Sequence, residues 1–358
     1  MRERSWSMLE PDPPEYRLPE DLCARDVFGG RDCGWVSQMR PFVRAYSRPG
    51  ETVFDPFCGF GTTLLAASLE GRDGLGMEID GARADLARER LRRHGIEPRI
   101  VRGSLPSKTP LERFDLCLTS VPYFGCRWPG RASTGQCYAA PDFDTYLIAM
   151  RAIFHAVREG LADDGYCIAM AENVRVEGRT LPVAWEIARI LDSLFLACDE
   201  RVLCYPPREQ MASGDASMTE NALDTAMRND RTHEYALIYR KRRPPIDLER
   251  TRAFLYALRE AGFDAAMHGS FVPWAEGDAP DGTRRPNDLD LWIRDDPVAW
   301  SALLRWLRVQ GFRLSVWGEP ATAETSVDTL RKRHYLRAER IDGDGATVRV
   351  DWSLAPDA

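Results

Sequence analysis

The sequence predicts an α/β chain, a doubly wound and largely parallel sheet followed by a second, smaller α+β domain. Three observations predict it. An apolar strand ending in an acid runs into a glycine-punctuated turn and then a helix, in VFDPFCGFGTTLLAASLEG from Val53 to Gly71. From Trp35 to about Tyr239, apolar strands alternate with helical patterns, as a sheet covered on both faces requires. At KRRPPIDLER, two prolines beside a basic cluster precede a new helix, which marks a linker. The expected organisation is therefore an irregular segment over 1–34, a first domain over 35–242 and a second over 243–358.

Taken in order, the opening MRERSWSMLEPDPPEY is charged and rich in proline, with no apolar core of a secretory leader. Helical patterns follow in LARERLRRHG, YLIAMRAIFHAVREGL and LPVAWEIARILDSL, and DDGYCIAMAE reads as a strand after the second of these. A chain of 358 residues with 44% hydrophobic content has room for two cores. No apolar run reaches the length of a membrane span. Nine cysteines without CxxC pairs read as reduced thiols, so the expectation is a cytoplasmic protein without a zinc site.

The glycine turn carries the first functional signal. Gly59 and Gly61 let the backbone bend tightly and let a ligand lie against it, and the helix behind them offers unpaired N–H groups. Downstream, GLGMEID places Glu78 at the end of a second apolar run, where a carboxylate accepts hydrogen bonds from ribose hydroxyls.

The wording DPFCGFGTT resembles the first motif of the S-adenosylmethionine-dependent amino-methyltransferases, the DNA methylase N-4/N-6 family, which usually reads DPFxGSGTT; Phe60 stands here where serine is common. The family's second signature is Asp, Asn or Ser, then Pro-Pro, then an aromatic residue. FDLCLTSVPYFGCRW supplies it as Ser120, Val121, Pro122 and Tyr123, with valine at the first proline position. RTHEYALIYRK resembles the family's closing strand, and MRPFVRAYSRPGETVFDPF its lead-in, so the likeness covers about 35–242. It implies S-adenosylmethionine as cofactor, held by Asp55, Phe57, Gly59, Gly61, Thr62 and Glu78.

The same resemblance implies that Ser120, Pro122 and Tyr123 form the catalytic set. An exocyclic amine is a poor nucleophile because its lone pair is delocalised into the ring. Acceptors for both amine protons, here the Ser120 side chain and the Val121 carbonyl, favour a pyramidal nitrogen whose lone pair faces the methyl donor. Tyr123 stacks on the base. Holding two reactants in line is then the main contribution.

The implied partner is nucleic acid, DNA ahead of RNA. Against this stands a net charge of −7, since polyanion binding rests on Lys and Arg contacts to phosphate. The basic runs Arg88 to Arg93 and Arg240 to Arg243 fit helix faces and strand ends. The segment from Pro206 to Arg231, where relatives place target recognition, is short and not basic.

The tail carries its own pattern. After the helix in ERTRAFLYALREAGF comes a short strand ending in Gly269-Ser270, a polar insertion, and then RPNDLDLWI with Asp288 and Asp290 two apart. Residues two apart on a strand share a face, so both carboxylates can grip one metal. Asp351 in VRVDWSL is a third acid. This Gly-Ser turn, D-x-D and later carboxylate resemble the nucleotidyltransferase superfamily, in particular minimal AbiEii-like members. The resemblance implies Mg2+ on Asp288, Asp290 and Asp351, and a nucleotide phosphate at Gly269 and Ser270.

His233 and His268 read as structural or nucleotide-facing, and Trp128 and Trp292 as core residues or base-stacking ones. The expectation is therefore methyl transfer to cytosine N4 or adenine N6 of nucleic acid. Three other readings stay open: metal-dependent nucleotidyl transfer by the second domain as the main activity, methylation of RNA, a nucleoside or a small amine, and a non-catalytic defence or antitoxin-type protein. The sequence leaves oligomeric state undetermined.

Overall fold

The computed structural model describes residues 4–31, 33–108, 112–125, 135–176, 179–206, 232–241, 245–277, 279–280, 282–283, 285–317, 319–333 and 335–355. Trp128, Cys126, Arg127 and 207–231, which include nearly all of the expected target-recognition segment, lie outside the described residues. The chain divides into two compact units, Met1–Lys241 and Arg242–Ala358.

In the first unit, strand β1 (Trp6–Met8) and the short helix α1 (Glu20–Arg25) come before helix α2 (Val36–Tyr46). There follow β2 (Thr52–Asp55), α3 (Thr62–Leu69), β3 (Asp73–Glu78), α4 (Gly81–Arg93), β4 (Ile100–Arg102) and β5 (Phe114–Ser120). The unit closes with α5 (Phe143–Gly160), β6 (Leu161–Ala171), the small ribbon β7 (Val174–Val176) and β8 (Arg179–Leu181), α6 (Val183–Leu194), β9 (Leu196–Cys204) and β10 (His233–Arg240). The main sheet runs β1-β9-β10-β6-β5-β2-β3-β4. Strands β6, β5, β2, β3 and β4 are mutually parallel, while β10 lies antiparallel between β6 and β9.

Period-two burial explains why both faces are covered. Phe54 and Cys117 point into a core with α5 and α6, whereas Val53, Leu116 and Leu118 point into one with α2, α3 and α4. Helix α3 is buried from Thr62 to Ala67, which is why its sequence shows no polar stripe. The fold is a Rossmann-like, doubly wound α/β sheet. Strand order reverses between β2 and β5, and the loops after these two strands flank the crevice where such sheets take ligands.

The expectation that 1–34 is irregular needs correction. Strand β1 extends the sheet by pairing parallel with β9, and α1 buries Leu22 against Phe60 of the glycine turn and Leu86 of α4. Asp12 accepts from the N–H groups of Val36 and Ser37, both at 2.7 Å, so an upstream carboxylate caps α2. These elements are too short to show a period. Tertiary contacts hold them.

The second unit has its own mixed sheet. Its elements are α7 (Leu248–Glu260), β11 (Ala266–His268), β12 (Leu289–Ile293), α8 (Pro297–Val309), β13 (Arg313–Val316), β14 (Glu319–Pro320), α9 (Asp328–Arg333), β15 (Leu336–Ile341) and β16 (Thr347–Leu354). Strand order is β11-β12-β16-β15-β13-β14, with only β12 and β16 parallel among the described pairs. Asp247 caps α7, and Asp296 caps α8 through the N–H groups of Val298 and Ala299. Trp300, Leu304 and Trp352 are among its fully buried side chains. No helix among the described residues is long and apolar enough to cross a membrane.

Candidate functional site

The turn after β2 is fixed by its own backbone. Cys58 N–H donates to the Met77 carbonyl at 2.9 Å and Gly61 N–H to the Cys58 carbonyl at 2.6 Å. Gly59 and Gly61 hold φ of +49° and +75°, a region L side chains rarely adopt. A Cβ on Gly59 would meet nothing nearer than 3.9 Å, so that backbone is open to close approach, whereas one on Gly61 would press Leu91 at 3.3 Å. Gly61 therefore sits behind the turn as the N-cap of α3, and the cleft wall passes through Gly59.

Two carboxylates anchor this wall. Asp55 ends β2, and its Oδ1 accepts from Phe57 N–H at 3.0 Å and from the Thr119 hydroxyl at 2.6 Å. Burial pushes its carboxyl up to about 6, against the pull of hydrogen bonds from Thr119, Thr63 and Phe57. Glu78 ends β3 and bridges to the turn, with Oε2 accepting from Gly59 N–H at 3.0 Å and Oε1 from Asp80 N–H at 2.7 Å. Burial raises its carboxyl too, opposed by those N–H groups and by Arg83. Neighbouring hydroxyls divide their work. Thr63 serves Asp55, while the Thr62 hydroxyl accepts from Arg90 at 2.9 Å and faces the Gly34 carbonyl.

The opposite wall follows β5. Ser120 is the last residue of that strand, and Val121 donates its N–H to the Met170 carbonyl at 3.0 Å. Valine at the first proline position thus adds a bond of the β5–β6 type that proline has no N–H to make. The Pro122 carbonyl accepts from the Tyr146 hydroxyl at 2.8 Å, and Phe124, Phe143 and Tyr146 cluster behind it. Tyr123 is buried, and its hydroxyl donates to Glu234 Oε1 at 3.2 Å.

One cleft brings these walls together. Asp55, Phe57, Gly59, Thr62, Glu78, Ser120, Pro122 and Tyr123 all line it. The same cleft is lined by residues the sequence did not single out, chiefly Trp35, Gln38, Gln136, Tyr205 and Glu234. Glu234 did carry a signal, as an acid on the parity of HEYALIY that otherwise buries Ala236 and Ile238. His233 instead packs its ring edge-on to Tyr235.

Much of the basic character of α4 is taken up by partners within the unit. Arg90, with no exposure, donates to the Thr62 hydroxyl and to the carbonyls of Phe60 and Tyr16. Arg83 pairs with buried Asp26 at 3.0 Å between the rings of Phe28 and Phe60, and Arg88 and Arg93 pair with acids. Among the described residues every cysteine is a free thiol.

Open backbone at Gly59, acceptors at Asp55 and Glu78, and the apolar surfaces of Phe57, Met77 and Ile79 fit a nucleoside-bearing methyl donor.

The acids singled out in the second unit are differently placed. Asp290 and Asp351 are register partners on parallel strands, and Asp288 precedes β12. Gly269, at φ +75°, comes so close that a Cβ would lie 2.3 Å from Asp290 Oδ2, and Ser270 beside it is exposed. Arg337, the β15 partner of Asp351, forks onto it with contacts of 2.7 and 2.6 Å and reaches Asp288 at 3.5 Å. Among the described residues no cluster of three or more His, Cys, Asp or Glu is arranged to hold a metal. The buried Arg337 guanidinium supplies the positive charge beside Asp351 and Asp288, an arrangement that does not fit the expected Mg2+ at the same place. Trp292 stacks on His268 with ring centres 4.2 Å apart.

Comparison with known proteins places the first wall in context. Residues 36–89, from α2 through most of α4, match the family described as DNA methylase. The chain is 35% identical over 74 residues to the ribosomal protein L11 methyltransferase of Thermus thermophilus, covering 21% of this chain and 29% of that protein. It is 43% identical over 54 residues to the orphan methyltransferase M.BamHII of Bacillus amyloliquefaciens, covering 15% and 20%. Less than a third of either relative is spanned. Among solved structures, TrmN from Thermus thermophilus matches with a TM-score of 0.39 and 16% identity, over 58% of this chain and 48% of that one.

Proposed function

We propose that the first unit, whose residues 36–89 match the family described as DNA methylase, is an amino-methyltransferase of the N-4/N-6 type, and that this chain transfers a methyl group from S-adenosylmethionine to an exocyclic amine of a nucleic-acid base, with DNA as the substrate. One observation carries the reading. The turn after β2 and the Ser120–Tyr123 segment after β5 face the same cleft, so a donor wall and an acceptor wall share one space.

S-adenosylmethionine, when bound, supplies an electrophilic methyl group on a sulfonium. Gly59 and Phe57 offer backbone and ring surface to it, and Glu78 accepts from ribose hydroxyls while keeping the turn in place. Asp55 holds the turn from within through Phe57 N–H. On the other wall, the Ser120 hydroxyl accepts a hydrogen bond from an N–H of the amine and Tyr123 stacks on the base ring. The segment enters the reaction already ordered, because Met170 and Tyr146 each hold one of its backbone groups. Orientation of two reactants is the term this scaffold contributes most.

The reading is tested with tritiated S-adenosylmethionine and the full chain, offered duplex DNA, single-stranded DNA, RNA and free nucleosides in parallel. The expected result is label on DNA, in N4-methylcytosine or N6-methyladenine. Label confined to RNA, a nucleoside or protein would overturn the assignment of substrate.

A further inference from the structure

We propose that Glu234 is a positioning residue for the acceptor, acting through the hydroxyl of Tyr123 and assisted by Gln38. The inference rests on the methylation reading above and deepens it by naming what sets the aromatic wall.

Glu234 is the second residue of β10 and is 2% exposed. Its Oε1 accepts from the Tyr123 hydroxyl at 3.2 Å, and its Oε2 accepts from Gln38 Nε2 at 2.7 Å. Gln38, 3% exposed, comes from α2, and all three side chains line the cleft. A carboxylate buried to this degree is costly and needs donors to offset its lost hydration. Packing alone would be met by leucine at this position. The donors engaged are a phenol and an amide that both face the acceptor space, so the acid is tied to the site.

The geometry explains what the tie achieves. The segment from Ser120 to Tyr123 is held at three successive residues: Val121 N–H on the Met170 carbonyl, the Pro122 carbonyl on the Tyr146 hydroxyl, and the Tyr123 hydroxyl on Glu234. The first two fix the backbone. The third fixes the far end of the ring, which backbone contacts cannot reach. With both carboxylate oxygens engaged, one by the ring and one by α2, the plane of Tyr123 is set relative to the helix whose first turn lines the same cleft. An aromatic wall fixed before the base arrives loses less freedom on binding and holds the amine in line.

The test uses the full chain, tritiated S-adenosylmethionine and duplex DNA, with calorimetric titration of S-adenosylmethionine as a second readout. Glu234→Ala should lower kcat/KM for DNA by about tenfold to a hundredfold and leave the Kd for S-adenosylmethionine within about twofold. Glu234→Gln should recover most of the loss, since its carbonyl oxygen accepts the phenol and its amide meets the Gln38 carbonyl after that side chain flips. Tyr123→Phe, which keeps the ring and removes only the hydroxyl, should lose about as much as Glu234→Ala, and the double variant no more than either. Multiplying losses in the double variant, or full activity in Tyr123→Phe, would overturn the inference and leave the methylation reading standing. No transfer by the wild-type chain to any nucleic acid would overturn both.

Discussion

Both units bury carboxylates, and they answer them with different donors. On the cleft of the first unit, Asp55 and Glu78 accept from backbone N–H groups and a hydroxyl, and Glu234 from a phenol and an amide. In the second unit Asp351 is forked by Arg337, and across the same pair of strands Glu339 is held by Arg349 at 2.8 Å. Backbone and hydroxyl donors leave a carboxylate its charge and spare lone pairs to offer a ligand. A guanidinium consumes both in the fold. Asp26, off the cleft wall, combines both kinds of donor, taking the N–H groups of Phe28 and Gly30 together with Arg83.

The largest effect is expected at the Arg337–Asp351 pair. Arg337→Met strands Asp351 without its buried cation and should destabilise the second unit by about 3–5 kcal/mol. Urea denaturation of the full chain measures it, and the affinity for S-adenosylmethionine should be unchanged. If the variant instead binds Mn2+ with no loss of stability, the acids are a metal site and the contrast fails.

Next comes pH. The carboxyl of Asp55 is held near 6 in the folded chain against an ordinary value of 3.8, so the folded state binds more protons than the unfolded one between these values. Its contribution to stability therefore falls as pH rises from about 4 to above 6, by on the order of 3 kcal/mol. The difference between wild-type and Asp55→Asn unfolding curves, taken from pH 4 to 8, should show this slope. A flat difference would mean that the acid is better hydrated than its burial implies.

Glu78→Ala removes the acceptor at the end of β3 and the tie to Gly59 together. It should weaken S-adenosylmethionine by about tenfold to a hundredfold, the range expected for hydrogen bonds to a charged group. Calorimetry reads this directly, and unchanged affinity would remove Glu78 from the ribose role. The smallest effect sharpens the assignment of Asp55. Thr119→Val deletes a 2.6 Å hydrogen bond and should cost about 1 kcal/mol. It should also move the Asp55 titration upward, because the ionised form loses a donor.

What the sequence made legible was local. The glycine turn could be read from Gly59 and Gly61 because positive φ leaves its mark on residue type. The alternation from Trp35 to Tyr239 could be read because period-two and period-3.6 burial leave theirs. Glu234 stood out only as an acid on a buried parity, and its role was harder to see because its partner Tyr123 stands 111 positions away. The N-terminal elements were missed because α1 has only 6 residues and its order comes from contacts with α4 and the turn. In the second unit the acid pattern could be read but its neutralisation could not. Arg337 is one charged residue among several in LRAERI, and only pairing between β15 and β16 brings it onto Asp351.

The central claim is that the first unit holds a methyl donor against the turn after β2, opposite an amine-binding wall. Isothermal titration of the full chain with S-adenosylmethionine tests it most directly. Saturable binding at one site per chain is expected, weakened by Glu78→Ala and unaffected by Arg337→Met. Absence of binding to the wild-type chain would contradict it.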